Sequence, residues 1–155
     1  MLKAAKISLP KMASNIVLFA GINFVVYVAL FLSLKYMNVL NLSGFLMLNY
    51  VTLAFVSLYQ IHALIKKNQA YIPFLESFVL IFLTGTLSFM FFSIYIFIYS
   101  WLDPLLYELF IMDSGDQNKL IAAMLIFFEG SGASIVIGLI AMFYSGRYQD
   151  DEASI

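Results

Sequence analysis

Four long stretches of the chain are apolar enough to cross a membrane as helices. They run from about residue 14 to 34, 43 to 65, 74 to 102 and 119 to 143. A helix needs about 20 apolar residues to cross a hydrocarbon core of about 30 Å. Each stretch must be helical, because backbone groups left unpaired in lipid cost several kcal/mol and four such segments suit no closed barrel. The pattern predicts an all-α membrane protein.

The connections between these stretches predict how the helices are arranged. Most are short, which favours a single transmembrane domain over residues 1–155, folded as an antiparallel four-helix bundle. After the third stretch, Asp103-Pro104 marks a break, and apolar residues follow at near-helical spacing: Leu105, Leu106, Leu109, Phe110 and Met112. This spacing predicts a short amphipathic helix on the outer membrane surface. Residues 144–155 are expected to form an acidic cytoplasmic tail.

The positions of lysine and arginine predict the orientation in the membrane. Six of them lie on one side of the predicted spans: Lys3, Lys6, Lys11, Lys66, Lys67 and Arg147. The other side has Lys35 and Lys119, together with several acidic residues. Because loops rich in Lys and Arg stay in the cytoplasm, we expect both termini to be cytoplasmic.

The composition narrows the classes of function. Charged residues make up 11% of the chain, against about 25% in soluble domains. Lys and Arg total 8 against 9 for Asp and Glu, so no basic excess points to nucleic acid. The chain has no cysteine, and His62 is its one histidine, which leaves no thiolate nucleophile and no multi-histidine metal site. We therefore expect no catalytic residues, no cofactor and no metal, and hence no enzyme.

Glu129 is the most informative position, because it lies near the middle of the fourth predicted span. Intramembrane acids are costly and usually functional, and burial would favour the neutral form. Polar residues at similar depth on the other helices are Asn23, Thr52 and Ser88. Two interpretations stay open. Glu129 is a proton, cation or partner site, or it is a protonated acid that ties helices together.

Small residues recur along the same span at helical spacing: Gly130, Ser134, Gly138 and Ala141. Such stripes let helix backbones approach closely in membranes. We expect this one to pack the fourth helix against the third, and an interface with another protein or a second copy is the alternative.

Several short motifs resemble a family of small bacterial membrane proteins. Ile65-Lys66-Lys67 followed by Tyr71-Ile72-x-Phe74 is similar to a cytoplasmic loop of the four-helix family known as domain of unknown function 4199. Gly85, the segment with Tyr95, Tyr99 and Asp103-Pro104, and the run Gly138–Ala141 also resemble that family. Leu75 and Glu76 depart from its pattern. The resemblance implies a bacterial inner-membrane location, no established activity, and genes near membrane glycosyltransferases.

Two functions remain compatible with the sequence. The first is a non-catalytic accessory or anchoring subunit of a bacterial inner-membrane complex, with the lipid bilayer and a membrane protein, or a second copy, as partners. The alternative is a small oligomeric proton-coupled transporter that uses Glu129. The chain has little mass outside the predicted spans and no grouping of nucleophile, base and orienting residue, which favours the first.

Overall fold

The computed structural model describes residues 9–40, 42–68, 72–103 and 119–153. They contain four helices: α1, Leu9–Tyr36; α2, Leu42–Asn68; α3, Phe74–Leu102; and α4, Lys119–Ala153. Each is long and apolar enough to span a membrane, and no strand occurs in the described ranges. The prediction of an all-α chain with four such helices is confirmed.

Two further predictions concern the segments after α3 and at the end of α4. The amphipathic helix expected around residues 105–112 lies outside the described residues. In contrast, α4 does not stop at the end of the predicted span. It continues past Phe143 to Ala153, so most of the segment predicted as a tail is a helical extension of α4.

The end of α1 is set by a recognisable capping motif at Asn38. Asn38 has a φ of 55°, in the left-handed region that Asn adopts more readily than most residues. The Asn38 N–H donates to the Lys35 carbonyl and the Val39 N–H to the Leu34 carbonyl, at 3.0 and 3.1 Å. This pair of bonds is a Schellman motif. It ends the helix and turns the chain toward α2.

The core of the bundle is aromatic at the level where α1 ends. Phe31 contacts Phe45 at a ring-centroid distance of 5.7 Å, and Phe45 contacts Phe92 at 5.3 Å. All three rings are almost completely buried. Toward the other end of the bundle, the interior ends in an aliphatic cluster of Ile16, Leu64, Ile72 and Leu80. Between these two layers, buried polar side chains such as Asn23, Asn49 and Gln60 lie among buried apolar ones such as Leu53 and Phe89.

Polar contacts connect three helices at the aromatic end of the bundle. They involve Lys35, Tyr99, Asp103 and Lys119. Lys35 forms an ion pair with Asp103, and its ammonium also donates to the Tyr99 hydroxyl at 2.8 Å. Lys119 donates to the Ser100 carbonyl at 2.9 Å and lies 4.4 Å from the centre of the Trp101 ring. The end of α3 therefore receives one lysine from α1 and one from α4.

Candidate functional site

Glu129 lies on the outer surface of the bundle. Its side chain is exposed, and so are Leu125 and Val136, which lie four and seven residues away and therefore share its face of α4. Phe128, the residue before Glu129, is exposed at the edge of this face. The span Lys119–Phe143 places Glu129 near its midpoint. An ionisable group thus sits on a surface otherwise suited to lipid.

Tyr50 of α2 is the polar neighbour of Glu129. The two side chains are close enough for the Tyr50 hydroxyl to interact with the Glu129 carboxyl. The hydroxyl is buried and makes no hydrogen bond of standard geometry. Tyr50 therefore connects the exposed carboxyl to the interior of the bundle.

Asn23, Thr52 and Ser88 were predicted as partners of Glu129. Within the part of the chain that the structure describes, none of the three is hydrogen-bonded to it. The Thr52 hydroxyl donates to the Leu48 carbonyl at 2.9 Å, and the Ser88 hydroxyl donates to the Thr84 carbonyl at 2.6 Å. Both bonds stay within the residue's own helix. Asn23 is fully buried, and neither its amide nitrogen nor its amide oxygen has a partner.

A second group of polar side chains lies inside the bundle behind Tyr50. The rings of Tyr27 and Tyr50 both contact Phe89, at centroid distances of 5.1 and 6.1 Å. Asn23 lies one turn before Tyr27, and Asn49 precedes Tyr50. Both asparagines are fully buried, and the Tyr27 hydroxyl and the amide of Asn49 lack hydrogen-bond partners.

Gln60 forms a third polar contact, nearer the start of α1. Its amide nitrogen donates to Asn15 Oδ1 at 2.8 Å and to Thr84 Oγ1 at 3.1 Å. This joins α1, α2 and α3 through one buried side chain. The Gln60 carbonyl oxygen has no partner.

Sequence reasoning did not identify Tyr50, Tyr27, Asn49, Asn15 or Gln60 as site residues. A usable signal was present, because Asn49 and Gln60 are carboxamides inside a predicted span, where an unpaired amide is costly. Nothing in the sequence, however, places Tyr50 beside Glu129. That depends on how α2 packs against α4.

The small residues of α4 lie on the opposite side of the helix from Glu129, against α3. A side chain at Gly130 would overlap the Phe89 ring, and one at Gly85 would overlap the Ser134 hydroxyl. Gly138 faces Phe78. Ala141 packs in a cluster with Ile61 and Ile81. These contacts lie inside one copy of the chain, so the stripe is occupied by α3.

Gly132 differs from these glycines, because it lies on the exposed face one turn after Glu129. Nothing lies within 4 Å of the position that its Cβ would occupy. Gly21 of α1 is equally open, and it lines an apolar surface groove with Val17, Leu18, Ile22, Val25 and Val26. Of these two open glycines, Gly132 is the one with an acid beside it.

The polar side chains in and around the middle of the bundle are carboxyl, hydroxyl and carboxamide groups. No group of three His, Asp or Glu residues converges within the described ranges. The chemistry available at Glu129 is therefore proton binding, hydrogen bonding or pairing with a cation.

The comparisons with known proteins do not assign the chain to a family. No protein-family model matches the chain, and neither a curated protein nor a solved structure matches it significantly. The similarity to the four-helix bacterial family stays a prediction that rests on short sequence motifs.

Proposed function

We propose that the chain is a non-catalytic accessory or anchoring subunit of a complex in a bacterial inner membrane. It binds its partner through the exposed face of α4 that surrounds Glu129. This docking face consists of Leu125, Phe128, Glu129, Gly132 and Val136. The exposure of Glu129 near the middle of an apolar span is the observation that carries the proposal.

The energetic argument starts from the position of the carboxyl group. A charge at the centre of a membrane helix costs at least about 2.5–3.5 kcal/mol, and such residues almost always face protein or a water-filled cavity. In a single copy the docking face meets lipid. A partner helix that covers it would remove this cost.

The partner is expected to supply a lysine, an arginine or another strong hydrogen-bond donor at the same depth. Within the described residues, Lys11, Lys35, Lys66 and Lys119 lie at or beside the ends of the spans, away from Glu129. Lys35 and Lys119 are engaged at the end of α3. No described lysine lies at the depth of Glu129, so we expect the complementary group to come from another molecule.

Gly132 supports the same face. Glycine allows a neighbouring backbone to approach closely, and close approach is how helices associate in lipid without a hydrophobic driving force. An open glycine one turn from the acid lets a partner helix reach the Glu129 carboxyl with a short side chain.

The arrangement in the membrane is part of the proposal. Contacts between α1 and α2 join residues early in one helix to residues late in the other, as in Asn15 with Gln60 and Phe31 with Phe45. Those between α3 and α4 follow the same rule, as in Gly138 with Phe78 and Ser93 with Ala123. These pairs support an antiparallel bundle. The excess of Lys and Arg at one end supports cytoplasmic termini.

The test is to extract the tagged full chain from native membranes in mild detergent and identify what is bound. We expect a larger membrane protein at fixed stoichiometry, which Glu129→Leu loses and Glu129→Gln retains in part, since an amide still hydrogen-bonds. Membrane glycosyltransferases are the first candidates to look for. Isolation of a lone oligomer would contradict the proposal and favour the alternative of an oligomeric proton-coupled transporter.

A further inference from the structure

A surface groove at the end of α1 combines polar and apolar side chains. It has a volume of about 640 Å³ and is lined by Leu32, Ser33, Lys35, Tyr36, Asn38 and Tyr99. These residues belong to α1, to the turn that ends it, and to α3. Because α4 contributes none of them, an inference about this groove is independent of docking through α4.

The groove lies at the level where two of the candidate spans end. The first span runs from Lys11 to Tyr36 and the third from Phe74 to Leu102. Tyr36 and Trp101, at these two ends, are 90% and 68% exposed. Tyrosine and tryptophan are enriched where a membrane meets water. In a chain that spans a membrane with these helices, the groove therefore lies beside the lipid headgroups.

Three side chains around the groove have hydrogen-bond donors to spare. The Lys35 ammonium has three N–H groups. One donates to the Tyr99 hydroxyl at 2.8 Å and another to the Asp103 carboxylate. The Tyr99 hydroxyl is the acceptor in its bond with Lys35, so its own proton can be donated elsewhere. Within the described ranges, neither the third N–H of Lys35, nor the Tyr99 proton, nor the exposed Asn38 amide has an acceptor.

These donors are complementary to a ligand that only accepts hydrogen bonds. A phosphate diester is such a ligand, and lysine binds phosphate through a charge-assisted hydrogen bond. A phospholipid presents its phosphate at the level of this groove. Leu32 lies one turn before Tyr36, toward the middle of the span, and both side chains are exposed. The apolar side of the groove therefore suits the glycerol and acyl chains of a lipid better than a soluble phosphate.

Asp103 determines which phospholipid fits. Its carboxylate offsets the charge of Lys35, so the pair does not favour an anionic headgroup over a zwitterionic one. Both α1 and α3 end at this groove, and the carboxyl end of a helix carries partial negative charge. A carboxylate can accept about four hydrogen bonds, so Asp103 can keep Lys35 and also accept from an ammonium group.

The ion pair does not have to break when a headgroup binds. The side chains of Lys35 and Asp103 are 28% and 19% exposed, and a pair that is open to solvent is weakly coupled. A headgroup with a phosphate and a nearby ammonium therefore meets both charges at a small energetic cost. The phosphate faces Lys35 and the ammonium faces Asp103.

We propose that this groove binds one phospholipid whose headgroup combines a phosphate with a primary ammonium, as in phosphatidylethanolamine. The phosphate accepts hydrogen bonds from Lys35, Tyr99 and Asn38. The ammonium donates to Asp103, and the ring of Tyr36 contacts the glycerol. The quaternary ammonium of phosphatidylcholine has no N–H to donate, and phosphatidylglycerol has no cation for Asp103. The bound lipid connects the end of α1 with the end of α3.

The first experiment measures the selectivity for the headgroup. The purified full chain is freed of lipid in mild detergent. It is then titrated with phosphatidylethanolamine, phosphatidylcholine and phosphatidylglycerol of identical acyl chains, and bound lipid is counted by native mass spectrometry. We expect one phosphatidylethanolamine to bind at least about tenfold more tightly than either other lipid, because each of them loses a charged hydrogen bond. Equal binding of phosphatidylethanolamine and phosphatidylcholine, or a preference for phosphatidylglycerol, would overturn the proposal.

Two soluble competitors distinguish a lipid from a free phosphate ligand. Glycerophosphoethanolamine has the same headgroup without acyl chains, and inorganic phosphate offers the phosphate alone. Added at the same concentration as the lipid, neither should displace it, because the apolar side of the groove gives them no contact. Displacement by either compound would show that the groove takes a soluble ligand and would overturn the assignment to a lipid.

The second experiment tests the charge at the centre of the groove. Lys35→Met should lower the affinity for phosphatidylethanolamine by about tenfold or more, since a charged donor to the phosphate is lost. Lys119→Met is the matched control. Lys119 lies at the same end of the bundle, where it contacts Ser100 and Trp101, and it is not one of the residues that line the groove. Equal affinities in the two variants would refute the proposed site.

Two milder variants separate lipid binding from folding. Asn38→Gly removes the amide and keeps the turn, because glycine adopts a φ of 55° without strain. Tyr99→Phe removes the hydroxyl. Its control is Tyr95→Phe, one turn earlier on α3, where the ring stacks on Tyr99 outside the groove lining. We expect Asn38→Gly and Tyr99→Phe to weaken binding by about threefold or more, the loss of one hydrogen bond, at an unchanged melting temperature of the lipid-free chain. Unchanged affinity in both would overturn the proposal.

Discussion

The hydroxyl of Tyr50 on α2 lies beside the carboxyl of Glu129 on α4. Tyr50 belongs to the aromatic packing of the interior, whereas Glu129 is exposed on the outer face of α4. The pair therefore connects the buried polar residues of the bundle with its outer surface.

Filling the open glycine on the docking face should weaken partner binding. Gly132→Leu adds a side chain where a partner helix must approach, so we expect at least a tenfold loss of co-purified partner, equivalent to about 1.4 kcal/mol. Gly21→Leu makes the same chemical change at the open glycine of α1 and should leave the yield of complex unchanged. If Gly21→Leu alone abolished binding, the docking surface would be the groove on α1.

Adding a methyl group at Gly130 should destabilise the bundle. Its Cβ would overlap the Phe89 ring, and overpacking of this kind costs about 1–3 kcal/mol. Gly132→Ala on the same helix meets nothing and should be neutral or stabilising by up to about 1 kcal/mol. Reversible unfolding in mixed detergent micelles measures both variants, and equal stabilities would show that Phe89 moves aside without cost.

The ion pair between Lys35 and Asp103 should contribute modestly to stability. Both side chains are partly exposed, at 28% and 19%, so solvent screening limits the coupling to about 1 kcal/mol. A double-mutant cycle with Lys35→Met and Asp103→Asn isolates this energy. We expect the coupling to decrease at high salt. A coupling indistinguishable from zero at low salt would mean that Tyr99, and not Asp103, is the effective partner of Lys35.

The orientation of the chain can be tested with single cysteines, because the native sequence has none. Met37→Cys lies in the exposed connection after α1, and Lys11→Cys lies at the start of the first span. An impermeant maleimide should label Met37→Cys on intact inner membranes and Lys11→Cys only after permeabilisation, since the lysine-rich end is expected inside. The reverse pattern would contradict the proposed topology, with a chain treated in detergent as the control for reactivity.

The sequence was sufficient to predict the helices, because a segment in lipid must satisfy its backbone hydrogen bonds internally. The bounds of α3 coincide with those of the third predicted span. The extension of α4 beyond Phe143 was not predicted, since residues 144–153 are polar enough to lie in water and hydropathy alone does not say whether such a segment stays helical.

The candidate site was only partly accessible to sequence reasoning. The depth of Glu129 follows from counting residues along one helix, and the sequence alone gives it. Its exposed position, its neighbour Tyr50 and the unpaired amides of Asn23 and Asn49 depend on the rotation of each helix about its axis and on which helices are adjacent. Membrane helices that are apolar on all sides carry little sequence signal for that rotation. Close packing, such as Gly130 against Phe89 and Gly85 against Ser134, fixes this rotation. Only the tertiary structure therefore decides that Glu129 lies beside Tyr50 on the exposed surface of the bundle.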